Sequence, residues 1–429
     1  MPAEHHARGC VIAAPGSGQG KTWVTAALAR ACLRTDRRVR VLKIGPDFID
    51  PEILTRACRS TVHTVDPWMA GDEACARELG DAARAADIVL VEGVMGLFDG
   101  SPSTADVAAR FGLSVLLVID AWTMAQTFGA LAHGLMTYRP ELRFAGVLGN
   151  RVAGPAHGAM IAESLRDRSL FRGAVQNDPA ASLPERHLGL VMPDEVSDLD
   201  ARIDRAADAV RDFDFGSLPE LPVAGPSSAP LARRLEGVRI AVARDAASCF
   251  IYAANLDLLR ALGAELAFFS PRDDRALPEA SALYLPGGYP ELHATTLSEN
   301  RAMHRAIQAH VEQGKPAVAE CGGLMLLARG LCTLDGRRHE MAGVLDLEVE
   351  MSAQCAAIGH YACELSEGSL RGHSFHHSRA SGAASPSALA SSPHGGLSEP
   401  VYRLRGLVAS YVHWYLPSNP EAAARLFTV

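Results

Sequence analysis

The sequence predicts a two-domain α/β protein in which helices cover both faces of parallel sheets. Short, continuously apolar segments alternate with helical segments in both halves of the chain, as in strands that are buried on both faces. The length of 429 residues exceeds that of one ordinary domain. A stretch rich in proline, glycine and serine separates the halves and is predicted to be a linker. We therefore expect domains over residues 1–212 and 238–429, joined by a linker over 213–237.

The N-terminal half is predicted to form a doubly wound sheet of six strands. A helix from Thr22 to Arg34 follows the first strand, and helical segments lie between most of the others. Right-handed crossovers then bring the strands into parallel pairing. The strands are predicted at residues 9–14, 39–44, 86–91, 114–119, 144–148 and 188–191.

The C-terminal half repeats this α/β pattern and then becomes richer in β-structure from residue 343 to 415. Residues 378–400 are dense in Ser, Ala, Gly and Pro, so we expect a mobile loop there. The predicted strands are 238–243, 265–269, 282–285 and 317–320, and the predicted helices are 255–262, 299–313 and 324–329.

Composition excludes several classes of protein. A hydrophobic fraction of 48% with 21% charged residues excludes wholesale disorder, and a net charge of −8 argues against a nucleic-acid surface. No apolar run reaches the ~18 residues of a membrane helix, and Met1 to Gly9 has no apolar signal segment. Nine cysteines without a CxxC pair argue against a disulfide framework. We expect a cytoplasmic protein without membrane or nucleic-acid partners.

A glycine-rich segment, Ala-Ala-Pro-Gly-Ser-Gly-Gln-Gly-Lys-Thr, lies between the first predicted strand and helix. Its backbone N–H groups can surround phosphate oxygens, its lysine can reach the β- and γ-phosphates, and its threonine hydroxyl can bind Mg²⁺. The strict phosphate-loop pattern has glycine where this chain has Pro15. A turn without a ligand is the alternative, which Gly-Lys-Thr in this context disfavours. The predicted ATP-binding residues here are Gly16, Ser17, Gly18, Gly20, Lys21 and Thr22.

Charged and polar residues follow other predicted strands at the sheet edge where α/β folds bind ligands. We expect Asp47 and Glu92 to hold Mg²⁺ together with Thr22, and Asn150 to contact the adenine edge. Taken singly, each carboxylate could instead cap a turn, and Asn150 could be an ordinary turn residue. The remaining charged candidates at this edge are Lys43, Asp50 and Asp99.

A second site is predicted at Cys321, which lies between a strand and a helix in Glu-Cys-Gly-Gly. A tight strand-to-helix turn presents a nucleophile, and we expect the helix N-terminus to lower the thiol pKa. Backbone N–H groups of Gly288 and Gly322 are the candidates for an oxyanion hole. Sixteen histidines compete for the role of general base; His413 closes a late strand, while His373 and His376 lie in another segment.

These motifs together resemble the a,c-diamide synthases of the cobalamin pathway over nearly the whole chain. The motifs that carry the resemblance are Lys43-Ile-Gly-Pro-Asp-Phe-Ile-Asp-Pro, Glu92-Gly-Val-Met-Gly-Leu-Phe-Asp-Gly, Pro286-Gly-Gly-Tyr-Pro-Glu, Glu320-Cys-Gly-Gly and Ala409-Ser-Tyr-Val-His. The N-terminal half is similar to dethiobiotin synthetase, a P-loop NTPase, and the C-terminal half to a class I glutamine amidotransferase.

The resemblance implies that ATP phosphorylates a peripheral carboxylate of a corrin, and that ammonia from glutamine converts it to an amide, once at the c and once at the a side chain. Cys321 is then the nucleophile and His413 its base, and Lys43, Asp50 and Asp99 lie in the region of the substrate and its acyl phosphate. Fusion of the two activities suggests a protected route for ammonia. Many class I amidotransferases have glutamate two residues after the base, where this chain has Tyr415, so the third member of a triad stays open. The family often has Gly-His-Glu-Phe-His-Tyr-Ser where this chain has Gly-His-Ser-Phe-His-His-Ser from Gly372.

Several alternatives remain at this point. A nickel-sirohydrochlorin a,c-diamide synthase or a cobyric acid synthase would do related chemistry, although the Gly-Pro-Asp-Phe-Ile-Asp segment from Gly45 favours the a,c-diamide group. A partitioning-type ATPase switch protein would have no use for Cys321, and intact Cys321 and His413 argue against a degenerate, regulatory amidotransferase domain. The sequence does not distinguish cobyrinate from hydrogenobyrinate. It leaves the oligomeric state open, with a homodimer as one candidate.

Overall fold

The computed structural model describes residues 7–222 and 231–428, apart from residues 183–184 and 187–188. The chain forms two compact units, Met1–Ser228 and Ala229–Val429. The first residues of the predicted linker pack on the N-terminal unit, where Phe213, Phe215 and Leu218 are buried in its core. The centre of that linker, 223–230, lies outside the described residues.

A seven-stranded parallel sheet forms the frame of the N-terminal unit, which confirms the predicted doubly wound fold. The strand order is β3-β2-β4-β1-β5-β6-β7. The strands are β1 Arg8–Ala13, β2 Val39–Ile44, β3 His63–Val65, β4 Ile88–Glu92, β5 Val115–Asp120, β6 Phe144–Val152 and β7 Phe171–Gln176, and a separate hairpin contains β8 Glu185–Arg186 and β9 Gly189–Leu190. The helices are α1 Lys21–Leu33, α2 Ile49–Cys58, α3 Asp72–Ala85, α4 Thr104–Arg110, α5 Thr127–Tyr138, α6 Pro155–Ser164 and α7 Leu199–Ala209.

The sequence-based strand assignment is wrong at the edges of this sheet. The strand predicted at 188–191 is not part of it, because β9 pairs antiparallel with β8 in the hairpin. The edge positions belong instead to β3 and β7, which the sequence analysis missed. An edge strand has a single neighbour, and β7 is mostly half-buried, so neither strand has the long apolar run on which the prediction relied.

The C-terminal unit contains a second seven-stranded sheet, in the order β11-β10-β12-β13-β22-β21-β20. Its first five strands are parallel and the last two pair antiparallel. Two smaller sheets have the orders β15-β14-β16-β19 and β17-β18-β23. The strands are β10 Arg239–Ala243, β11 Glu265–Phe269, β12 Ala282–Leu285, β13 Ala317–Glu320, β14 Gly330–Cys332, β15 Arg338–Glu340, β16 Leu347–Met351, β17 Ala357–Leu365, β18 Gly368–His376, β19 Ser378–Gly382, β20 Ala388–Ala390, β21 Glu399–Leu404, β22 Leu407–Ser410 and β23 His413–Tyr415. The helices are α8 Ala253–Ala261, α9 Ala294–Glu299, α10 Arg301–Glu312, α11 Gly322–Leu327 and α12 Pro420–Leu426.

The loop predicted over residues 378–400 is partly wrong, since β19 and β20 lie within it. Strand β19 pairs with β16, and β20 pairs with β21. A residue without a side chain is needed at Gly382, where the backbones approach closely: a Cβ added there would lie 2.2 Å from the Asp346 carbonyl oxygen. At this position the glycine that suggested a loop reflects tight strand packing.

No helix within the described parts of the chain has both the length and the apolar character of a membrane span.

Candidate active sites

The glycine-rich segment forms a loop that leads from β1 into the N-terminus of α1. Gly20 caps this helix with φ 86°, a left-handed conformation that favours glycine. A side chain there would also collide with Asn150, because an added Cβ would lie 2.3 Å from Asn150 Nδ2. Free N–H groups at the start of α1 can bind anionic oxygens, as the sequence predicts.

Lys21 is held at this loop by two carbonyl oxygens. Its Nζ donates hydrogen bonds to Gly16 O at 3.1 Å and to Met95 O at 2.5 Å. Burial, and then repulsion from Lys43, lower the pKa of Lys21 to about 8. The sequence analysis missed Met95, whose φ of 49° is unusual for a residue with a side chain. The sequence signal that could have identified Met95 is its position between Gly93 and Gly96 in the motif that begins at Glu92.

A buried charge cluster lies beside the loop at the carboxyl ends of β2 and β4. Lys43 Nζ is 2.7 Å from Asp50 Oδ2, 2.8 Å from Glu92 Oε1 and 3.9 Å from Asp47 Oδ2. Thr22 Oγ1 donates to the same Glu92 oxygen at 2.8 Å. The structure therefore brings together these five residues, which the sequence analysis had drawn from three separate motifs.

The cluster has more negative than positive charge, which is visible in its pKa shifts. Burial raises the pKa of Glu92 to about 7 against the opposing effect of Lys43, and burial together with the Asp50 charge raises that of Asp47 to about 8. Burial opposes ionisation of Asp50 as well, but Lys43 holds its pKa below the ordinary value. Burial would lower the pKa of Lys43, yet Asp50, Glu92 and Asp47 raise it above its ordinary value.

These residues fit a divalent cation that binds together with a nucleotide. Glu92 is fully buried, and its Oε2 has no hydrogen-bond partner among the described residues. An additional positive charge would relieve the carboxylate repulsion. Over the same part of the chain, no group of three or more His, Cys, Asp or Glu side chains is arranged to hold a metal alone. Mg²⁺ commonly binds through one or two carboxylates plus substrate phosphates, so the arrangement suits it.

The loop and the charge cluster line one cavity of about 460 Å³. Of the predicted ATP, metal and substrate residues, ten line it: Ser17, Gly18, Gly20, Lys21, Thr22, Lys43, Asp47, Asp50, Glu92 and Asn150. Its other side is built from Trp23, from the end of β7 and the residues that follow it, and from α7, including Gln176, Asp178 and Arg205. The sequence analysis did not find these, because their elements join the site only through the fold.

Two predicted residues, Asp99 and Asn150, form hydrogen bonds with backbone atoms of the protein. Asp99 Oδ2 accepts a hydrogen bond from Gly96 N at 3.0 Å, so it caps the turn after β4 and does not line the cavity. Asn150 is buried and its Nδ2 donates to Gln19 O at 2.9 Å, so the amide that was expected to contact adenine supports the phosphate loop. The Asp99 contact corresponds to the turn-capping alternative. The Asn150 contact instead joins β6 to the phosphate loop, and because Asn150 also lines the cavity its contact with adenine remains a prediction.

In the C-terminal unit, Cys321 occupies a strained turn between β13 and α11. Its φ of 44° and ψ of −104° lie outside the regions that side-chain-bearing residues prefer, as in a nucleophile elbow. Its backbone N–H donates to Ser410 O at 2.8 Å and thereby joins the turn to β22. The predicted elbow geometry at this cysteine is present.

The thiol is buried and its pKa differs from the sequence-based expectation. Burial, then the nearby Glu291 charge, raise the pKa of Cys321 above its ordinary value, and the Gly322 N–H lowers it only in part. The predicted lowering by the helix N-terminus is therefore outweighed, since α11 has only six residues and the thiol is buried. A reactive thiolate at this position needs a base that accepts the proton during the reaction.

The two glycines that were proposed for the oxyanion hole lie side by side next to the thiol. A Cβ added to Gly322 would lie 3.0 Å from Gly288 N, and one added to Gly288 would lie 2.2 Å from Ala247 O. Glycine is thus required for this close backbone approach. The oxyanion role of the two N–H groups remains a prediction.

His413 is the histidine that lies next to Cys321 across Gly287. A Cβ added to Gly287 would lie 2.3 Å from His413 Cε1 and 3.3 Å from Cys321 Cβ. Burial, then the charge of His376, lower the pKa of His413 to about 3. The imidazole is therefore neutral and able to accept a proton. The tertiary structure separates this residue from the other histidines that it describes, as sequence spacing could not.

The other two histidines considered as bases have other neighbours. His373 pairs with His413 across β18 and β23, and the rings stack with centroids 5.0 Å apart. The Tyr252 hydroxyl lies 2.6 Å from His373 Nδ1. His376 contacts Glu399, with 2.9 Å between His376 Nε2 and Glu399 Oε1. The sequence analysis missed Tyr252 and Glu399, which no motif marks.

Comparison with known proteins assigns both units to families. A family model for the CobQ/CobB/MinD/ParA nucleotide binding domain matches residues 10–191, and one for the CobB/CobQ-like glutamine amidotransferase domain matches residues 239–420. The chain is 54% identical to a hydrogenobyrinate a,c-diamide synthase of Pseudomonas aeruginosa, covering 97% of this chain and 96% of the relative. A hydrogenobyrinate a,c-diamide synthase of Stutzerimonas stutzeri is also 54% identical, with 97% of each chain covered.

A cobyrinate a,c-diamide synthase of Herminiimonas arsenicoxydans is 44% identical, covering 98% of this chain and 97% of the relative. The similarity thus extends across both units and includes the phosphate loop and the cysteine elbow. This chain belongs to the a,c-diamide synthase family.

Proposed function

We propose that this chain is an ATP- and glutamine-dependent ligase that amidates the a and c side-chain carboxylates of a corrin, with hydrogenobyrinate as the first candidate substrate. The observation that carries the proposal is the presence of a phosphate-loop cavity and a cysteine elbow in one chain that is 54% identical to hydrogenobyrinate a,c-diamide synthases over nearly its full length. Cobyrinate, the substrate named for a 44% identical relative, is the second candidate.

The N-terminal cavity supports the activation step. A carboxylate oxygen of the substrate attacks the γ-phosphorus of ATP. The bond between the γ-phosphorus and the β-phosphate oxygen breaks, ADP departs, and the substrate carboxylate has become an acyl phosphate. Lys21 and the N–H groups at the start of α1 would hold the β- and γ-phosphates. Lys43, fully charged between Asp50 and Glu92, would stabilise the negative charge of the transferring group. Mg²⁺, for which Thr22, Asp47 and Glu92 are the proposed ligands, would neutralise phosphate charge.

The C-terminal unit supports the release of ammonia. The Cys321 thiol loses its proton to neutral His413 and attacks the side-chain amide carbon of glutamine. His413 returns the proton to the leaving nitrogen, so that ammonia departs and a thioester remains, which water hydrolyses to glutamate. Ammonia then attacks the acyl phosphate carbon, phosphate leaves, and the carboxylate has become an amide.

Mass spectrometry of the products tests the reaction and the substrate together. Reactions with ATP, Mg²⁺ and glutamine are run in parallel on hydrogenobyrinate, cobyrinate and nickel-sirohydrochlorin. Each replacement of hydroxyl by amide lowers the mass by about one unit, so two steps are visible. Double amidation of hydrogenobyrinate supports the proposal. Failure to amidate any corrin, in a protein that hydrolyses glutamine, would overturn the substrate assignment while leaving the amidotransferase assignment intact.

A Cys321→Ala variant tests the division of labour between the units. It should lose glutamine-dependent amidation but retain ATP binding and amidation with ammonium at high pH, because the phosphate loop is in the other unit. Loss of ATP binding in a folded variant would contradict this. Chelation of Mg²⁺ with EDTA should abolish ATP-dependent amidation but leave glutaminase activity.

Two further properties are proposed with the function. All nine cysteines are free thiols, which suits a reducing compartment such as the cytoplasm. A homodimer is the working hypothesis for the oligomeric state, and light scattering on the purified protein measures it directly.

A further inference from the structure

The ring of His413 is covered by a second histidine, His373. The two residues lie directly opposite each other in the antiparallel pairing of β18 with β23, so their side chains share one face of that sheet. Their rings stack, with centroids 5.0 Å apart and an interplanar angle of 18°. Both residues are buried, with 1% of His413 and 5% of His373 exposed. His373 therefore forms a wall against which the proposed base packs.

The close approach of the two strands depends on the glycine that precedes His373. A Cβ added to Gly372 would lie 2.1 Å from His413 O and 3.0 Å from Trp414 Cα. Any larger residue at this position would push β18 away from β23 and separate the two rings. The sequence left the role of the segment from Gly372 open, and the structure places the first two residues of that segment against the base.

His373 is itself held in place by Tyr252, the residue before α8. The Tyr252 hydroxyl lies 2.6 Å from His373 Nδ1, and both residues are buried. A phenol hydroxyl can donate or accept, so this hydrogen bond forms with either tautomer of the imidazole. The Tyr252 ring also meets the Tyr415 ring edge-on, with centroids 5.3 Å apart and an interplanar angle of 83°. Tyr252 therefore connects His373 to Tyr415, which is two residues beyond the base.

Two further neighbours limit the movement of the His413 ring. The Phe250 ring is tilted by 58° against it, with centroids 6.2 Å apart. Gly287 lies so close that an added Cβ would be 2.3 Å from His413 Cε1. A buried side chain that is packed in this way is confined to one rotamer. Loss of the His373 ring would remove one of these walls and allow the imidazole to turn away from the thiol.

We propose that His373 is a positioning residue of the glutaminase centre, and that its stacked ring holds the His413 imidazole in the orientation that faces Cys321. The inference deepens the proposed function and rests on it. Many class I amidotransferases have a glutamate two residues after the base, a position that Tyr415 occupies here. On this proposal the orienting contact comes from an aromatic stack on the neighbouring strand. His373 acts through His413 and is not placed against the reacting atoms.

Glutamine hydrolysis by purified variants of the full chain tests this role, with kcat and KM measured separately. His373→Ala should lower glutaminase kcat by about 10- to 100-fold, because displacement of a base by about 1 Å costs a factor of this size. KM for glutamine should change by less than about threefold, because the stack affects proton transfer and not substrate binding. Tyr252→Phe removes only the hydroxyl and should lower kcat by about 2- to 10-fold, the contribution of one neutral hydrogen bond.

Restoration of the stack distinguishes positioning from folding. His373→Phe keeps an aromatic wall, but its ring would collide with the Tyr252 hydroxyl, so it is combined with Tyr252→Phe. This double variant should recover kcat to within about fivefold of the wild-type value. His310→Ala is the matched control, since His310 is 6% exposed and its Nε2 lies 3.0 Å from Pro316 O, at the end of α10. It should lose stability but keep glutaminase kcat.

Wild-type kcat in folded His373→Ala would overturn the proposal, and so would equal losses of kcat in His373→Ala and His310→Ala. A double variant that is no more active than His373→Ala would overturn stacking as the means of positioning. If His373→Ala does not fold, Tyr252→Phe decides, because it removes a single oxygen atom, and an unchanged kcat there would overturn the proposal. Failure of the proposed function is a different result, in which the wild-type protein itself releases no glutamate from glutamine.

Discussion

Gly287 lies between Cys321 and His413, the proposed nucleophile and base, so Gly287→Ala should selectively disable the proposed glutaminase centre. The added Cβ would lie 2.3 Å from His413 Cε1, 3.1 Å from His413 Nδ1 and 3.3 Å from Cys321 Cβ. Ordinary contact begins at 3.4 Å, so the imidazole must move by about 1 Å. The backbone of Gly287 is not left-handed, so alanine is compatible with its φ.

The size of the effect follows from this displacement. A misplacement of about 1 Å at a catalytic group costs about 10²-fold in rate, or ~2.7 kcal/mol of transition-state stabilisation. We expect glutaminase kcat to fall by about this factor, with a stability loss of ~1–3 kcal/mol from overpacking. Amidation with ammonium should stay at the wild-type rate, because the phosphate-loop cavity is in the other unit.

The assay measures glutamate release and ammonium-dependent amidation on the same preparations. Gly134→Ala is the control, because Gly134 is exposed in α5 and an added Cβ would meet nothing within 4 Å. It should keep both activities and raise the free energy of unfolding by up to ~1 kcal/mol. Near wild-type glutaminase activity in folded Gly287→Ala would refute the reasoning, and so would a parallel loss of ammonium-dependent amidation.

Three further changes test other parts of the structure. Gly20→Ala should abolish the ATP binding that calorimetric titration detects. Gly20 has φ 86°, and an added Cβ would lie 2.3 Å from Asn150 Nδ2. Retained affinity for ATP would contradict this packing. Arg30→Met should lower the free energy of unfolding, measured in urea, by about 2–3 kcal/mol. The reason is that the buried guanidinium joins α1 to carboxylates of α7 and to carbonyls of α2. An unchanged free energy of unfolding would show that these contacts are not stabilising. Glu320→Gln should flatten the pH dependence of stability. Burial raises the pKa of Glu320 from 4.5 to about 8, so its stability contribution is fully present below the unfolded pKa and is lost as pH rises through about 8. The wild-type protein should therefore lose about 1.4 kcal/mol more per pH unit than the variant over this window, and parallel stability curves would contradict the shift.

The sequence predicted the central strands well and the edge strands poorly. Strands such as Val39–Ile44 and Ala282–Leu285 are buried on both faces, and their continuous apolar character marks them in the sequence. Strand β7 lies at an edge, where one side has no partner strand and polar residues are tolerated. Its local composition resembles that of a loop, and only its pairing with β6 makes it a strand.

The same distinction applies to the candidate sites. The phosphate loop and the elbow at Cys321 are local motifs, in which glycines and a strand-to-helix turn determine the backbone shape within a few residues. Other features join residues that are distant in the chain. One is the cavity wall that Gln176 and Arg205 form, and another is the contact of His376 with Glu399. No short pattern contains both partners of such a contact.

The sequence by itself determined the α/β class, the phosphate loop and the cysteine elbow, because hydrophobic periodicity and glycine-dependent turns act over short stretches of chain. Only the tertiary structure decided how His413, the base expected from the resemblance, lies against Cys321, which carboxylates surround Lys43, and that burial raises the pKa of the thiol. Those properties depend on exclusion of water and on charges brought close by folding, and neither exists until the strands have packed.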